Sequence, residues 1–216
     1  IIYQDIALDG VILNNISLNV IPENANIENI LTDVNIIIAG NDQGEYYIPG
    51  NNVNTIGEWN YDQGVQILLD EFDNNSLSVM GFSSNPYSII SLNPLMLNNI
   101  SYLLDSPASV ESLFGDLGSV LVVTDDQGHY YIPEYNLNTI DASGGMKPGK
   151  GYQVLISGTE SIEFTYGDAT DEGLTRSVGV VGASYNYDIT RTGVSHPIII
   201  DELTGAVADG DELVAY

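Results

Sequence analysis

Residues 13–17 read LNNIS, and the same five letters return at residues 97–101, which is 84 positions later. Three further strings recur at this offset: DQG at 42–44 and 126–128, YYIP at 46–49 and 130–133, and NTI at 54–56 and 138–140. Downstream, QGVQILL at 63–69 aligns with KGYQVLI at 150–156 at an offset of 87, so the second copy carries a three-residue insertion. The chain therefore contains two copies of one unit. Because a period near 84 exceeds that of solenoid repeats, we expect two small domains with separate cores, arranged as beads on a string.

The residue pattern within each copy predicts the order β-α-β-β-β. Apolar and polar residues alternate over residues 11–21, which predicts a half-buried strand. Residues 27–31 and 110–114 have apolar side chains at helical spacing, which predicts short helices with Asn26 and Ser109 as their N-caps. Asp and Gly in the turn that follows favour a β-hairpin. Strands are predicted in the first copy at 35–39, 45–48, 65–69 and 76–80, with equivalents in the second.

These patterns predict a mainly β fold with short helices (α+β). We expect two homologous β-α-β-β-β modules in tandem, followed by strands of a partial β-sandwich unit. The predicted boundaries are 1–8 for the end of an upstream element, 9–82 for the first module, 83–166 for the second, 167–190 for a linker and 191–216 for the partial third unit.

Composition excludes several classes of function. The 216 residues include 30 Asp and Glu against 4 Lys and Arg, which gives a formal net charge of −26. Proteins that bind nucleic acid or anionic membranes need clustered cations, so we expect neither partner. The chain has no cysteine, which excludes disulfides and Cys-ligated zinc. With 44% hydrophobic residues, it is nevertheless expected to fold.

Catalytic groups are scarce. The chain has two histidines, and His129 occupies the position that Glu45 holds in the first copy, so the repeat does not require an imidazole there. The GxSxG, Walker A and GxGxxG motifs are absent from the sequence. We therefore expect no enzyme.

Calcium is the candidate cation, because it takes several oxygen ligands and the chain is rich in carboxylates. The candidate ligands fall into three clusters: Asp125 with Asp126, Asp168 with Asp171, and Asp209 with Asp211. None of the clusters has the ligand spacing of an EF-hand loop, and ordinary turn aspartates or diffuse screening by divalent ions would produce the same pattern.

Aromatic residues are candidates for packing between modules or for stacking on a ligand such as a glycan. They are Tyr46, Tyr47, Trp59, Tyr130, Tyr131 and Tyr135. Because neighbouring side chains on a strand point to opposite faces, one tyrosine of each adjacent pair should point into the core and the other outward.

Three stretches of the first copy resemble a tandem β-rich module found in large secreted or surface-exposed bacterial proteins and in phage structural proteins: residues 13–31, 42–60 and 63–69. Its pattern is roughly WNLISF, then DxxGxxYIP, NTIGxW and GYxV. Residues 193–216 resemble the start of a β-sandwich module that accompanies it. This chain lacks the Trp before LNNIS, and it has Asp141 where the pattern has Gly. The resemblance implies an extracellular or virion structural array, and it implies no catalytic residue.

We therefore expect a non-enzymatic structural segment of an extracellular fibre, a surface appendage or a virion decoration, with adhesion as a compatible role. Its expected partners are copies of itself or neighbouring modules of the same long chain. A carbohydrate-binding module of a secreted protein, with a glycan or a cell surface as its partner, is the alternative. The expected location is extracellular, at a cell surface or on a virion.

Overall fold

The computed structural model describes residues 1–70, 72 and 75–167. The predicted third unit, 191–216, and nearly all of the predicted linker, 167–190, lie outside the described residues. Within them the protein is mainly β with a few short helices, which confirms the predicted fold class.

Residues 2–83, hereafter repeat 1, contain eight strands, one α-helix and one 3₁₀ turn. They are β1 (Ile2–Leu8), β2 (Asn14–Ile16), β3 (Val20–Pro22), α1 (Ile27–Ile30), β4 (Ile36–Gly40), β5 (Tyr46–Ile48), the 3₁₀ turn Pro49–Asn51, β6 (Val53–Asn54), β7 (Val65–Leu69) and β8 (Asn75–Ser83).

Residues 90–167, hereafter repeat 2, follow the same plan. They contain β9 (Ile90–Leu92), β10 (Leu97–Ile100), α2 (Val110–Phe114), β11 (Val120–Thr124), β12 (Tyr130–Ile132), the 3₁₀ turn Pro133–Tyr135, β13 (Leu137–Asn138), α3 (Thr139–Ala142), β14 (Tyr152–Ile156) and β15 (Ile162–Phe164).

Each repeat has a five-stranded antiparallel sheet, in the order β2-β7-β4-β5-β6 in repeat 1 and β10-β14-β11-β12-β13 in repeat 2. A smaller antiparallel sheet accompanies it, β1-β8-β3 in repeat 1 and β15-β9 in repeat 2. The register shift in β4 between Ile36 and Ile38 recurs in β11 between Val120 and Val122, 84 positions later. The repeats therefore share the topology of the large sheet and its irregularity, whereas the small sheet of repeat 1 has one strand more.

The first strand corrects the expectation that residues 1–8 end an upstream element. In β1, Ile6 pairs with Leu77 of β8. The residue 84 positions after Ile6 is Ile90 of β9, which pairs with Phe164 of β15. Strand β1 is thus the repeat 1 counterpart of β9, so repeat 1 begins near Ile2.

The strand predicted over residues 11–21 is divided into two. Residues Asn14–Ile16 pair with β7 of the large sheet, and residues Val20–Pro22 pair with β8 of the small sheet. The chain crosses between the sheets at Ser17, Leu18 and Asn19. A simple alternation did not predict this, because all three residues of β2 are buried.

Each repeat has its own hydrophobic core, as expected for two homologous units. The core of repeat 1 includes Ile16, Ile67 and Trp59, and that of repeat 2 includes Ile100, Val154 and Tyr152. The predicted helix caps are confirmed: the Glu28 amide donates to the side chain of Asn26, and the Ser112 amide donates to Ser109 Oγ.

Candidate functional site at the repeat interface

The most unusual feature of the described residues is a set of six buried polar side chains in β2, β10 and the residues that follow them. They are Asn14, Asn15, Ser17, Asn98, Asn99 and Ser101, each no more than 3% exposed. They are the polar letters of the two LNNIS strings. Since a buried polar group is costly unless it is hydrogen-bonded, their partners show what the motif does.

The first asparagine of each string fastens the loop that precedes it. Asn14 accepts the Asp9 amide at 2.7 Å and donates to the Asp9 carbonyl at 2.8 Å. Asn98 accepts the Asn93 amide at 2.7 Å and donates to the Asn93 carbonyl at 2.9 Å. This role is local and is the same in both repeats.

The second asparagine of each string contacts its own counterpart. Asn15 Nδ2 donates to Asn99 Oδ1 at 2.7 Å, and the two residues are 84 positions apart. When equivalent residues of two equivalent units meet, they lie on a two-fold axis relating those units. The two repeats therefore face each other across an approximate two-fold axis at the Asn15–Asn99 contact.

Backbone pairing between the repeats obeys the same symmetry. In one direction the Gly151 amide donates to the Asn15 carbonyl at 2.9 Å, and the Ser17 amide donates to the Gly149 carbonyl at 3.1 Å. In the other direction the same two bonds run from Gly64 to Asn99, at 2.9 Å, and from Ser101 to Asp62, at 3.1 Å. The large sheet of each repeat is therefore extended by the residues that directly precede β7 or β14 of the other repeat.

The serine hydroxyls add a second symmetric pair of hydrogen bonds. Ser17 Oγ donates to the Lys150 carbonyl, and Ser101 Oγ donates to the Gln63 carbonyl, both at 2.7 Å. Ser17 Oγ also accepts the Tyr102 amide of repeat 2 at 3.1 Å. The polar letters of LNNIS are thus all hydrogen-bonded, and those of the second asparagine and the serine bond across the interface. One buried atom, Asn15 Oδ1, has no hydrogen-bond partner among the described residues.

A glycine is required at each crossing point. A Cβ on Gly151 would lie 2.5 Å from Asn15 Oδ1, and a Cβ on Gly64 would lie 2.7 Å from Asn99 Oδ1. Both distances are shorter than a side chain tolerates, so the asparagines pack directly on these glycines. This explains why Gly64 and Gly151 are the same residue type in both repeats although the residues before them, Gln63 and Lys150, differ.

The aspartate of each DQG turn also reaches the opposite repeat. The Asn15 amide donates to Asp126 Oδ2 at 3.0 Å, and the Asn99 amide donates to Asp42 Oδ2 at 2.8 Å. The turn glycines, Gly44 and Gly128, have φ of 78° and 84°, a region that favours glycine over other residues. The repeated DQG string is therefore both a turn and an interface contact.

The charged residues at the interface do not follow the two-fold symmetry of the repeats. In repeat 2, Lys150 Nζ lies 2.9 Å from Asp126 Oδ2, and the Asp126 side chain is only 2% exposed. Gln63 occupies the position of Lys150 in repeat 1, so within the described residues no cation pairs with Asp42. Asp62, which stands where repeat 2 has Gly149, adds a second carboxylate on this side.

The consequence is a shift in the pKa of both repeat 1 carboxyls. Burial raises the pKa of Asp42 above its ordinary value, although the Asn99 amide opposes the shift. Burial also raises the pKa of Asp62, and the negative charge of Asp42 raises it further. Asp62 Oδ1 is buried with no hydrogen-bond partner among the described residues. The interface is thus neutralised on one side and carries uncompensated negative charge on the other.

These contacts correct the beads-on-a-string arrangement. The described residues form one compact unit, and its two repeats are joined by backbone and side-chain hydrogen bonds. The expectation of separate beads failed because the polar letters of LNNIS were assigned to the exposed face of a strand. The recurrence of identical polar residues in both copies, inside a strand-like stretch, was the signal of a shared buried interface.

The predicted metal ligands Asp125 and Asp126 do not point to a common site. Asp125 accepts the amides of Gln127 and His129 through Oδ1, and its Oδ2 lies 2.7 Å from His129 Nδ1. Asp126 faces the interface. In the described part of the chain, no group of three or more metal-ligating side chains is assembled. The other candidates, Asp168, Asp171, Asp209 and Asp211, lie outside the described residues.

The aromatic candidates separate into buried and exposed rings. Trp59 is only 3% exposed, belongs to the core of repeat 1 and donates from Nε1 to the Gln63 carbonyl at 3.0 Å, so neither face of its ring is open to a ligand. Tyr131 is buried in the core of repeat 2, and Tyr47 packs against the core of repeat 1. Tyr46 is 46% exposed, as the alternation predicted. Tyr130 is half-buried and Tyr135 is 67% exposed.

Asp141, which stands where the pattern of the resembling module has Gly, has a structural role. Its carboxylate accepts the Val110 amide at 2.7 Å, the Ser109 hydroxyl at 2.6 Å and the Asn138 side-chain amide at 2.6 Å. It thereby joins the start of α2 to the start of α3. Gly57, its counterpart in repeat 1, has φ of 65° instead.

Among the described residues, no helix has the length and apolar character needed to cross a membrane. Comparisons with family models, with curated proteins and with solved structures gave no match for this chain. The resemblance to the tandem β-rich module therefore stays a prediction.

Proposed function

We propose that this chain is a non-enzymatic structural segment of an extracellular fibre, a surface appendage or a virion decoration. In it, the two repeats form one rigid building block. The observation that carries the proposal is the use made of the repeated polar residues. Side-chain hydrogen bonds of Asn15, Asn99, Ser17 and Ser101 join one repeat to the other. Such a use supports a role in holding modules together.

Rigidity is what the interface contributes to such a role. Linked domains with small polar contacts move relative to each other by default. Here backbone pairing crosses the interface in both directions, and the glycines allow close approach of the two repeats. A block joined in this way transmits force or holds spacing better than two domains on a flexible linker.

The net charge of −26 sets the conditions of assembly. Copies this acidic repel one another over about 10 Å at 0.1 M salt, and the repulsion weakens as salt or divalent cations screen it. We therefore propose that assembly depends on salt or on divalent cations, with copies of the chain or neighbouring modules as partners.

Scattering and electron microscopy of the full chain test this proposal. The expected result is association into elongated particles as calcium or monovalent salt is raised. Sodium chloride at matched ionic strength is the control, because equal association in both salts means screening, and stronger association in calcium means specific binding. A chain that stays a compact monomer in every condition would overturn the proposal.

The carbohydrate-binding alternative has lost its main support, because the Trp59 ring is buried. Its remaining candidates are Tyr46 and Tyr135, which lie exposed at 46% and 67%. A glycan array with the full chain tests it, with Tyr135→Ala as the variant. Binding that disappears in this variant would favour glycan recognition over the structural role.

A further inference from the structure

We propose that the repeat interface also joins separate copies of this chain by exchange, with repeat 1 of one molecule pairing with repeat 2 of another. The partner is thus a second copy of the chain. The surface is the same one through which repeat 1 and repeat 2 of a single molecule contact each other. The inference goes beyond the proposed function, because it depends on the interface alone and would hold for a protein of any role.

The interface is self-complementary, which is the first requirement. Each repeat offers a strand, at Asn15–Ser17 or Asn99–Ser101, and a segment that receives the strand of the other repeat, at Gly149–Gly151 or Asp62–Gly64. The backbone pairs and the serine hydroxyl bonds formed in one direction are formed again in the other, as in the isologous interface of a homodimer. Nothing in these contacts requires the two repeats to belong to the same molecule.

The second requirement is a connection that can open. Residues 84–89 join β8 to β9, and Asn85 and Ile89 are exposed. Only six residues long, this connection extends to roughly 20 Å at most. Ser84 anchors it: its amide donates to the Asn19 carbonyl at 2.9 Å and its hydroxyl donates to the Leu103 carbonyl at 3.3 Å. The Pro86 carbonyl also accepts the Gly167 amide at 2.8 Å, and Ser88 Oγ lies 3.4 Å from the Tyr61 hydroxyl. None of these bonds lies within a strand of the large sheets, so breaking them leaves those strands paired.

The third requirement is that an open molecule seeks a partner. Separation of the repeats would leave the backbone edges at Asn15 and Asn99 unpaired and their side chains without each other. Unpaired strand edges readily pair with another chain. Within one molecule the short connection keeps the repeats at high effective concentration, so closure competes with exchange. Exchange is therefore favoured when chains refold together at high protein concentration.

Complementation between two damaged full-length chains tests the proposal. Ile67→Asp disrupts the core of repeat 1, and Val154→Asp disrupts that of repeat 2 at the equivalent position; both side chains are fully buried. Each variant retains one intact repeat, and only a mixture contains both. After unfolding and joint refolding of differently tagged variants, native mass spectrometry should show a 1:1 heterodimer about tenfold more abundant than the homodimer of either variant.

Two further variants show which surface is responsible. Gly151→Val in the Ile67→Asp chain places a side chain against Asn15 of the partner and should abolish the heterodimer, whereas Gly118→Val, at a position with open space, should leave it unchanged. A mixture that forms no heterodimer, or a heterodimer that persists with Gly151→Val, would overturn the proposal. If the variants fail to fold, the wild-type chain decides: a dimer formed on refolding at high concentration supports exchange, and a monomer at all concentrations excludes it.

Discussion

Replacing the two interface aspartates one at a time should change stability in opposite directions, although they occupy equivalent positions. Asp126→Asn keeps an acceptor for the Asn15 amide but leaves Lys150 without its carboxylate partner. Loss of a charge-assisted hydrogen bond costs about 1.5–3 kcal/mol. Lys150 is 27% exposed, so water replaces part of the lost interaction. We expect Asp126→Asn to lower the free energy of unfolding by about 1.5 kcal/mol.

Asp42→Asn should instead raise the free energy of unfolding at pH 7. The side-chain oxygen of the new asparagine still accepts the Asn99 backbone N–H. The substitution also removes one of two neighbouring carboxylates whose charged forms are disfavoured by burial and by mutual repulsion. After discounting for solvent screening, the gain should be about 0.5 kcal/mol. The two variants should then differ by about 2 kcal/mol, which is roughly 4–8 °C in Tm for a unit of this size.

The sign of the pH dependence follows from the direction of the pKa shift. The pKa of Asp42 is higher in the folded state than its unfolded value of 3.8. At pH values between the unfolded and the folded pKa, the folded state therefore binds more protons than the unfolded state. The wild type therefore loses stability as the pH rises through this window. The advantage of Asp42→Asn should be present at neutral pH and should disappear as the pH falls below about 4.

Urea denaturation of the wild type and both variants at pH 7, repeated at lower pH for Asp42→Asn, measures these effects. The variants serve as controls for each other, since each removes one carboxylate from an equivalent turn. Equal destabilisation by both substitutions, or an Asp42→Asn gain that does not change with pH, would refute the account of the asymmetric interface.

Two further predictions use the same matched positions. Gly151→Ala should lower the free energy of unfolding by about 1–3 kcal/mol, because its Cβ would lie 2.5 Å from Asn15 Oδ1, while Gly50→Ala, with open space around it, should change it by less than about 0.5 kcal/mol. Thermal unfolding measures both, and equal effects would contradict the packing. Gln63→Lys should supply repeat 1 with the cation that it lacks and raise Tm, whereas Lys150→Gln should lower it. A Tm that falls in both variants would show that the carboxylates of repeat 1 do not need a cation.

The fold within each repeat was largely predictable because it depends on local signals. The strand Val65–Leu69 and its equivalent Tyr152–Ile156 were predicted with their observed bounds, since apolar and half-buried residues alternate along them. The helix caps followed from Asn26 and Ser109. Strand β1 was missed because its partner, β8, lies about 70 residues away and no local pattern identifies such a pairing.

The interface was not predicted, although its asparagines, its serines and the aspartates of its DQG turns belong to repeated strings. Asn and Ser are usually exposed, so a strand that carries them suggests an outer face. Asn15 is buried only because another repeat supplies Asn99 and a backbone partner, and that information is not local to either string. The prediction that Trp59 stacks on a ligand was wrong for the opposite reason. A large aromatic residue near a loop suggested a binding surface, but its ring belongs to the core of repeat 1.

Hydrogen exchange of individual backbone amides, measured by NMR on the native chain, tests the central claim most directly. Six of the amides that donate across the interface form symmetric pairs: Asn15, Ser17, Gly64, Asn99, Ser101 and Gly151. If the repeats form one block, these amides should exchange as slowly as those of the central strands β7 and β14, because only unfolding of the block exposes them. Rapid exchange at these six positions, with slow exchange in both cores, would show that the repeats are separate domains and would contradict the account.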